Sequence, residues 1–286
     1  MKKSKNVVIT GASTGIGYAT TQALIKKGYR VFGSVRKQAD ADKLSQEFGE
    51  QFEALIFDVT QADAVKREAA RVEQIIGTEG LYALINNAGI AVGGPMMHLP
   101  LDDLRWQMEV NVIGLVSTTQ AFLPLLGAKK DCPHPPGRIL NISSVAGKIS
   151  NPFMGPYCAS KHAVEAISNT MRIELLLYGI DVVVIGPGVV KTPIWDKAEQ
   201  DDFEAYKNTD YKSAAQKFQH FINKVSTEGF EQKEFGEMMA KIIETPTPKL
   251  RYPLVYGKLK NWILPRLLPT KIITNAIGKR LGLTKK

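Results

Sequence analysis

Short β-branched and apolar runs alternate along the chain with longer stretches in which apolar residues recur every three or four positions. The short runs predict strands at 6–10 (NVVIT), 30–35 (RVFGSV), 53–58 (EALIFD), 82–87 (YALINN), 138–143 (RILNIS) and 181–186 (DVVVIG). Helical patterns fall between them, near 15–27, 39–48, 62–77, 101–126 and 156–178. A further helix near 231–244 precedes LVYG at 254–257, which would close the sheet. Alternation of this kind builds a parallel sheet covered by helices on both faces. No internal repeat or low-complexity linker interrupts it, so residues 1–257 read as a single α/β domain.

Two segments depart from the alternation. Residues 192–230 are polar but carry Trp195, Phe203, Tyr206, Tyr211, Phe218, Phe221 and Phe230, and an insertion of that length predicts a lid. Residues 258–286 form an apolar, basic extension broken by Pro265 and Pro269. A chain of 286 residues with 44% hydrophobic and 23% charged positions suits one large globular domain. Cys132 and Cys158 provide neither a disulfide framework nor metal-ligand spacing, which fits a reducing compartment. The basic N-terminus lacks a signal-peptide pattern, and no stretch approaches the apolar length needed to span a bilayer, so a cytoplasmic location is expected.

The net charge of +9 changes little in this picture, because ten of the 37 basic residues lie in 249–286 with no acid among them. The remainder is near neutral, at 27 basic against 28 acidic residues, and gives no support for a nucleic-acid partner. In the tail, Ile272, Ile273, Ala276, Ile277 and Leu281 recur at helical spacing, but Lys279 and Arg280 project onto the same arc. Packing on its own fold or on an oligomer partner is therefore favoured over peripheral membrane contact.

The candidate chemistry begins where the first strand runs into TGASTGIG, residues 10–17. There Gly11 permits a tight turn, Gly15 lets a pyrophosphate approach the backbone, and Gly17 allows close helix packing. The helix that follows offers free N–H groups to phosphate. Farther along, Tyr157 and Lys161 stand four residues apart, on one face of a helix. Alone, such a pair is usually a solvated face. Beside a nucleotide loop and with Ser144 at the end of the preceding strand, it becomes a candidate for proton transfer. At the end of the second strand Val35 stands where an acid would select NAD, and Arg36 follows, a guanidinium suited to a 2′-phosphate. The competing reading is a surface pair of Arg36 with Asp40 or Asp42.

Together these motifs resemble the short-chain dehydrogenase/reductases over roughly residues 5–257. The matches, in order, are TGASTGIG, Asp58–Val59, NNAG at 86–89, Asn111, ISS at 142–144, YCASK at 157–161 and PGVVKTP at 187–193. The resemblance implies a doubly wound Rossmann-type sheet flanked by helices, with a helical lid insertion. It implies that Gly11, Ser13, Thr14, Gly15, Ile16, Gly17, Arg36, Asp58, Val59, Asn87, Tyr157, Lys161, Val190 and Thr192 hold the dinucleotide. By the same resemblance Tyr157 is the general acid/base, Lys161 lowers its pKa and holds the ribose, Ser144 binds the substrate oxygen, and Asn111 anchors a relay water. Ser143 matches the serine position less well than Ser144. NADP, as NADPH, is favoured over NAD, although Thr14 occupies a position where some NADP-using relatives place a second basic residue.

Met96, Met97, Phe153, Met154, Trp195 and the lid aromatics suggest an apolar pocket. The expected protein is an NADP-dependent oxidoreductase interconverting a lipophilic alcohol and its carbonyl, similar to hydroxysteroid and retinol dehydrogenases, and a homodimer or homotetramer. An NAD-dependent alcohol dehydrogenase is the near alternative. A non-catalytic NADP-binding regulatory or scaffold protein is the distant one, and it would have no need of Tyr157.

Overall fold

The computed structural model describes residues 5–194 and 203–284; Trp195 lies outside them, as does the side chain of Phe203. Seven parallel strands form one sheet in the order β3-β2-β1-β4-β5-β6-β7. They are β1 (Asn6–Ile9), β2 (Arg30–Val35), β3 (Phe52–Ile56), β4 (Ala83–Asn86), β5 (Arg138–Ile142), β6 (Asp181–Pro187) and β7 (Arg251–Leu254). The order reverses direction between β1 and β4, where a crevice opens at the carboxyl ends of the strands.

Alternation along each strand divides the core between the two faces. Val7 and Ile9 of β1 join one apolar cluster, whereas Val8 joins the other. The first cluster is covered by α1 (Gly15–Lys26), α2 (Gln38–Phe48) and a later helix, Gln232–Glu244. The second is covered by α3 (Ala62–Ile76) and α5 (Gly114–Phe122), which α4 (Leu101–Met108) precedes in the chain. Next in the chain come α6 (Gly155–Glu174), α7 (Lys212–Ser226), α8, which is the Gln232–Glu244 helix already mentioned, and α9 (Thr270–Leu281).

Three features differ from the sequence expectation. The last strand runs over Arg251–Leu254 instead of 254–257, because β6 pairs with it from Val184↔Arg251 to Pro187↔Leu254 and then ends. The 101–126 helix is one run, but a π turn at Glu109–Ile113 separates α4 from α5. That run is long and apolar enough to cross a bilayer, contrary to the expectation that no stretch approached such a length. It is a core helix: 56% of its most apolar window is buried, and it turns Gln107, Asn111, Thr118 and Thr119 inward.

The insertion begins and ends at one clasp. Val190 and Phe230 form a parallel bridge, with Lys191 N–H donating to Phe230 O at 3.0 Å and Phe230 N–H to Val189 O at 3.0 Å. Phe230 is buried against Phe235 and stacked on Tyr256, so it belongs to the body and not to the lid. Within the lid, α7 packs Phe218 against Phe153, with ring centroids 5.3 Å apart. The tail helix α9 packs Ile277 and Leu281 against α7.

Candidate active site

The residues named from sequence converge on the carboxyl edge of the sheet. After β1 the chain turns through Gly11 (φ +69°) and Gly15 (φ +60°) into α1. Thr14 precedes α1 without a side-chain cap, and no acid lies in the first turn, so its N–H groups and dipole face outward unopposed. A Cβ on Gly17 would lie 2.0 Å from Gly11 O and 2.6 Å from Asn87 Nδ2, so only glycine lets the helix enter this close. Asn87 holds the turn by donating from Nδ2 to Thr10 O at 2.9 Å and Gly11 O at 3.1 Å. Thr192 closes over the same loop: a Cβ on Gly15 would lie 3.2 Å from it. Ser13 and Ile16 are half-buried along the loop and Val190 is buried behind it.

At the far end of the crevice, Arg36 is 63% exposed and its nearest acid is Asp58, at 3.9 Å. Asp42 is taken by Gln38 at 2.7 Å, so the expected competition from the α2 carboxylates is absent among the described contacts. Asp58 accepts from Thr60 N–H and Oγ1 at 3.0 and 2.8 Å. Val59 turns inward instead, packing against Gly114 of α5.

The catalytic candidates sit on β5, α5 and α6. Helix α6 is inverted relative to an ordinary surface helix: Ser160, Lys161, Glu165 and Ser168 are buried, whereas Ile173 is exposed. The Tyr157–Lys161 pair therefore belongs to the interior edge of the crevice and is no solvated face. Ser144 caps the turn after β5, accepting from Ala146 N–H at 3.1 Å and donating to Pro187 O at 3.5 Å, and its hydroxyl lies beside the Tyr157 phenol, whose pKa it acts to lower. Ser143 points away, toward Lys161 O at 3.5 Å. The two serines thus face different partners.

Lys161 Nζ donates to Ile142 O at 2.9 Å and lies 5.7 Å from the Tyr157 ring centroid. Burial lowers its pKa from 10.5 to about 8. Burial also raises the Tyr157 pKa above 10.0, outweighing the opposing effect of Ser144. The expected lowering of the phenol by Lys161 is thus not what this geometry gives, because the ammonium is held by a backbone carbonyl and desolvation dominates. At neutral pH the phenol keeps its proton.

Asn111, within the π turn, accepts from Ile90 N–H at 2.8 Å and donates to Ile90 O and Ser160 Oγ at 3.0 and 3.1 Å. Gln107, one turn earlier, holds the same loop, accepting from Val92 N–H at 2.7 Å and donating to Ile90 O at 2.9 Å. The Asn111 amide makes three structural hydrogen bonds, so the expected relay water would share Oδ1 or be held by the main chain, since π turns take carbonyls out of the ordinary helical ladder.

Sequence reasoning missed the layer beneath. Arg251 of β7 donates from Nε to both oxygens of buried Glu165 (2.9 and 3.1 Å) and from Nη2 to Ser144 O at 3.1 Å. Lys148 lies 3.5 Å from the same carboxylate. Trp262 of the tail is sandwiched between Arg251 and Arg266, at 4.1 and 4.4 Å. Nothing in the local sequence of Arg251 or Glu165 signals this, since each reads as an ordinary charged position.

The pocket residues divide. Phe153 and Met154 are buried under α7, and Met97 is 77% exposed and lines no described cavity. His98 packs its ring near Tyr206 and Tyr211 of the lid.

A doubly wound sheet with a glycine-rich turn at its switch point and a Ser–Tyr–Lys cluster beside it defines a dinucleotide-dependent oxidoreductase. Residues 5–202 match the short chain dehydrogenase family, and the chain belongs to it, as an NAD(P)-dependent oxidoreductase acting on CH–OH groups. It is 38% identical over 274 residues to the NADPH-dependent 3-dehydrocapnine reductase of Ornithobacterium rhinotracheale, covering 96% of each chain. It is 32% identical over 264 residues to the 3-ketodihydrosphingosine reductase of Bacteroides thetaiotaomicron, covering 90% of this chain and 92% of the other. Among solved structures, a short-chain dehydrogenase from Streptomyces avermitilis shares the fold with a TM-score of 0.77 at 22% identity, covering 100% of this chain and 99% of that one.

Proposed function

We propose that the protein is an NADPH-dependent reductase of a lipophilic ketone, with Tyr157 as the proton donor. The observation that carries this reading is the placement of the Tyr157 phenol beside Ser144 at the mouth of the crevice; a phenol holds its proton at neutral pH, and desolvation here raises its pKa further. A proton-bearing phenol suits reduction, in which an alkoxide must be neutralised. The relatives support both cofactor and direction: one is named for NADPH and a 3-dehydro compound, the other for a 3-keto compound. A lipophilic 3-keto compound is therefore the favoured substrate class.

The residues present fit the nucleotide. The uncapped α1 N-terminus would take the pyrophosphate, and Arg36 the 2′-phosphate. Exposed Gly89 leaves open the space beside Lys161, where a Cβ would lie 3.6 Å from Nζ and 3.2 Å from Asn111 Oδ1. Lys161, Val190 and Thr192 would hold the nicotinamide end, and Asp58 the adenosine end. Bound NADPH supplies the hydride. Ser144 donates to the substrate oxygen and fixes its position, Tyr157 transfers its proton to that oxygen, and Lys161 holds positive charge nearby as the phenolate forms. Water held at Asn111, by Oδ1 or by the π-turn main chain, returns the proton.

The exposed Leu101, Trp106 and Ile113 of the α4–α5 run, with Ile173 and Leu177 at the end of α6, support assembly into a homodimer or homotetramer through these helices. Light scattering tests it, and a monomer at working concentration would rule it out.

The reaction is tested by cofactor consumption with a panel of lipophilic 3-keto compounds, using NADPH and NADH in parallel. The proposal expects NADPH to be preferred, with Arg36→Ala costing NADPH at least ~10-fold in affinity while leaving NADH nearly unchanged. Equal losses for both would assign Arg36 to the surface.

A further inference from the structure

The tail's apolar residues are turned two ways. Trp262 is 5% exposed between its two arginines, and Leu281 is 6% exposed against α7. Leu259, Ile263, Leu264, Leu267, Leu268 and Ile272 instead face solvent, Leu267 at 75%. They are consecutive exposed apolar positions of the π turn at Leu259–Ile263, the helical turn Leu264–Leu267 and the start of α9. Isolated exposed leucines need no explanation; six within 14 residues of chain form a patch.

Along this segment of the chain the charge has one sign, and the acids shown nearest it, Glu234 and Glu231, lie at Tyr256 on its body side. Lys258, Lys260, Arg266 and Lys271 are all exposed among these residues, and no acid follows Glu244 in the sequence. The objection raised by the sequence pattern no longer holds. Lys279 and Arg280 spoil only an arc that pools Ile272 with Ile277 and Leu281, and in the fold Ile277 and Leu281 pack inward. Arg280 lies over the Phe221 ring at 4.7 Å, part of the same inward packing.

We infer that this face docks on an anionic lipid surface, leucines in the acyl boundary and lysines at the headgroups. Charge complementarity selects the occupant. A second copy meeting this face across a two-fold axis would bring its own lysines against these. Nucleic acid would leave the leucines exposed, whereas a bilayer carrying anionic headgroups satisfies both sets. The docked element also packs, through α9 and α7, against Phe153 beside Tyr157, so it would set the lid at the membrane. The inference goes beyond the proposed reaction and stands without it, since lipid binding is read with no turnover.

The test is co-sedimentation of the full chain with phosphatidylcholine vesicles, with and without phosphatidylglycerol, at low and high salt. Binding is expected only to the anionic vesicles and weakened by salt. Leu267→Asp and the triple variant Lys258→Gln/Lys260→Gln/Lys271→Gln should each lose at least ~10-fold in partitioning. Both alter exposed positions, and an unchanged thermal midpoint confirms that the variants remain folded. Wild-type binding that is absent, or indifferent to phosphatidylglycerol, would overturn the inference, as would full binding by Leu267→Asp. Tighter binding to a DNA duplex would assign the face to nucleic acid, and a dimer that Leu267→Asp splits would assign it to a second copy; either result refutes a lipid surface.

Discussion

Removing the Arg251 guanidinium tests the layer that holds the site in place. Glu165 is 4% exposed and Arg251 17%, so the pair is desolvated, and Nε reaches both carboxylate oxygens while Nη2 reaches Ser144 O. In Arg251→Met the carboxylate keeps one ion pair among the described contacts, Lys148 at 3.5 Å and 34% exposed, with the Arg172 charge farther off. Breaking a buried pair from one side costs about 3–5 kcal/mol. The surviving lysine puts this case near the low end, at about 3 kcal/mol, a large part of the roughly 5–15 kcal/mol that holds a domain folded. Glu165→Gln leaves the guanidinium a neutral acceptor and should cost about 1–2 kcal/mol. The double variant has neither charge to strand, so its cost should fall short of the sum by about 1.5–3 kcal/mol. Urea unfolding measures all three, read as a shift in midpoint at constant slope. Arg251→Met should also lower kcat more than it raises KM for substrate, because the Ser144 turn loses its brace. Additivity within about 0.5 kcal/mol would refute the coupling.

Two further predictions address the crevice. Gly89→Ala meets no protein atom closer than 3.2 Å, so the chain should fold, but its methyl occupies the space beside Lys161 and should weaken NADPH binding at least ~10-fold, read by nucleotide fluorescence. Unaltered binding would place the nicotinamide end elsewhere. The Lys161 pKa, lowered from 10.5 to about 8, predicts a pH dependence of stability. Between those values the unfolded chain binds the extra proton, so stability rises with pH, by at most ~1.4 kcal/mol per unit, and is lower below pH 8. The difference in unfolding free energy between wild type and Lys161→Met, measured without nucleotide, should carry that slope; a flat difference would contradict the burial argument.

The sheet and its order of motifs were legible because parallel strands buried on both faces read as uninterrupted apolar runs, as in Val182–Val184. Tyr157 and Lys161 were legible through spacing, and Ser144 through its distance from them. The interior layer was not. Glu165 and Ser168 look like the polar side of a surface helix, and only the fold shows that α6 turns that side inward. Arg251 and Ser144 are far apart in sequence, and their hydrogen bond depends on the β6–β7 register. The π turn at Asn111 has no local signature, since Glu109–Ile113 carries no proline or glycine. Phe230 counted as a lid aromatic until the Val190 clasp placed it in the body. The tail misled for a related reason: periodicity pools every apolar residue onto one wheel, whereas packing divides them between body and solvent.

The central claim is that the half-buried Tyr157 delivers the proton in an NADPH-dependent reduction. Tyr157→Phe removes one hydroxyl and leaves the ring, the Lys161–Ile142 contact and the glycine-rich turn in place. Turnover of NADPH with a lipophilic 3-keto compound, measured beside NADPH affinity, tests it most directly. The account predicts affinity within about twofold of wild type and kcat reduced by at least ~100-fold, the scale of general acid catalysis. Turnover near the wild-type rate with intact NADPH binding would contradict it.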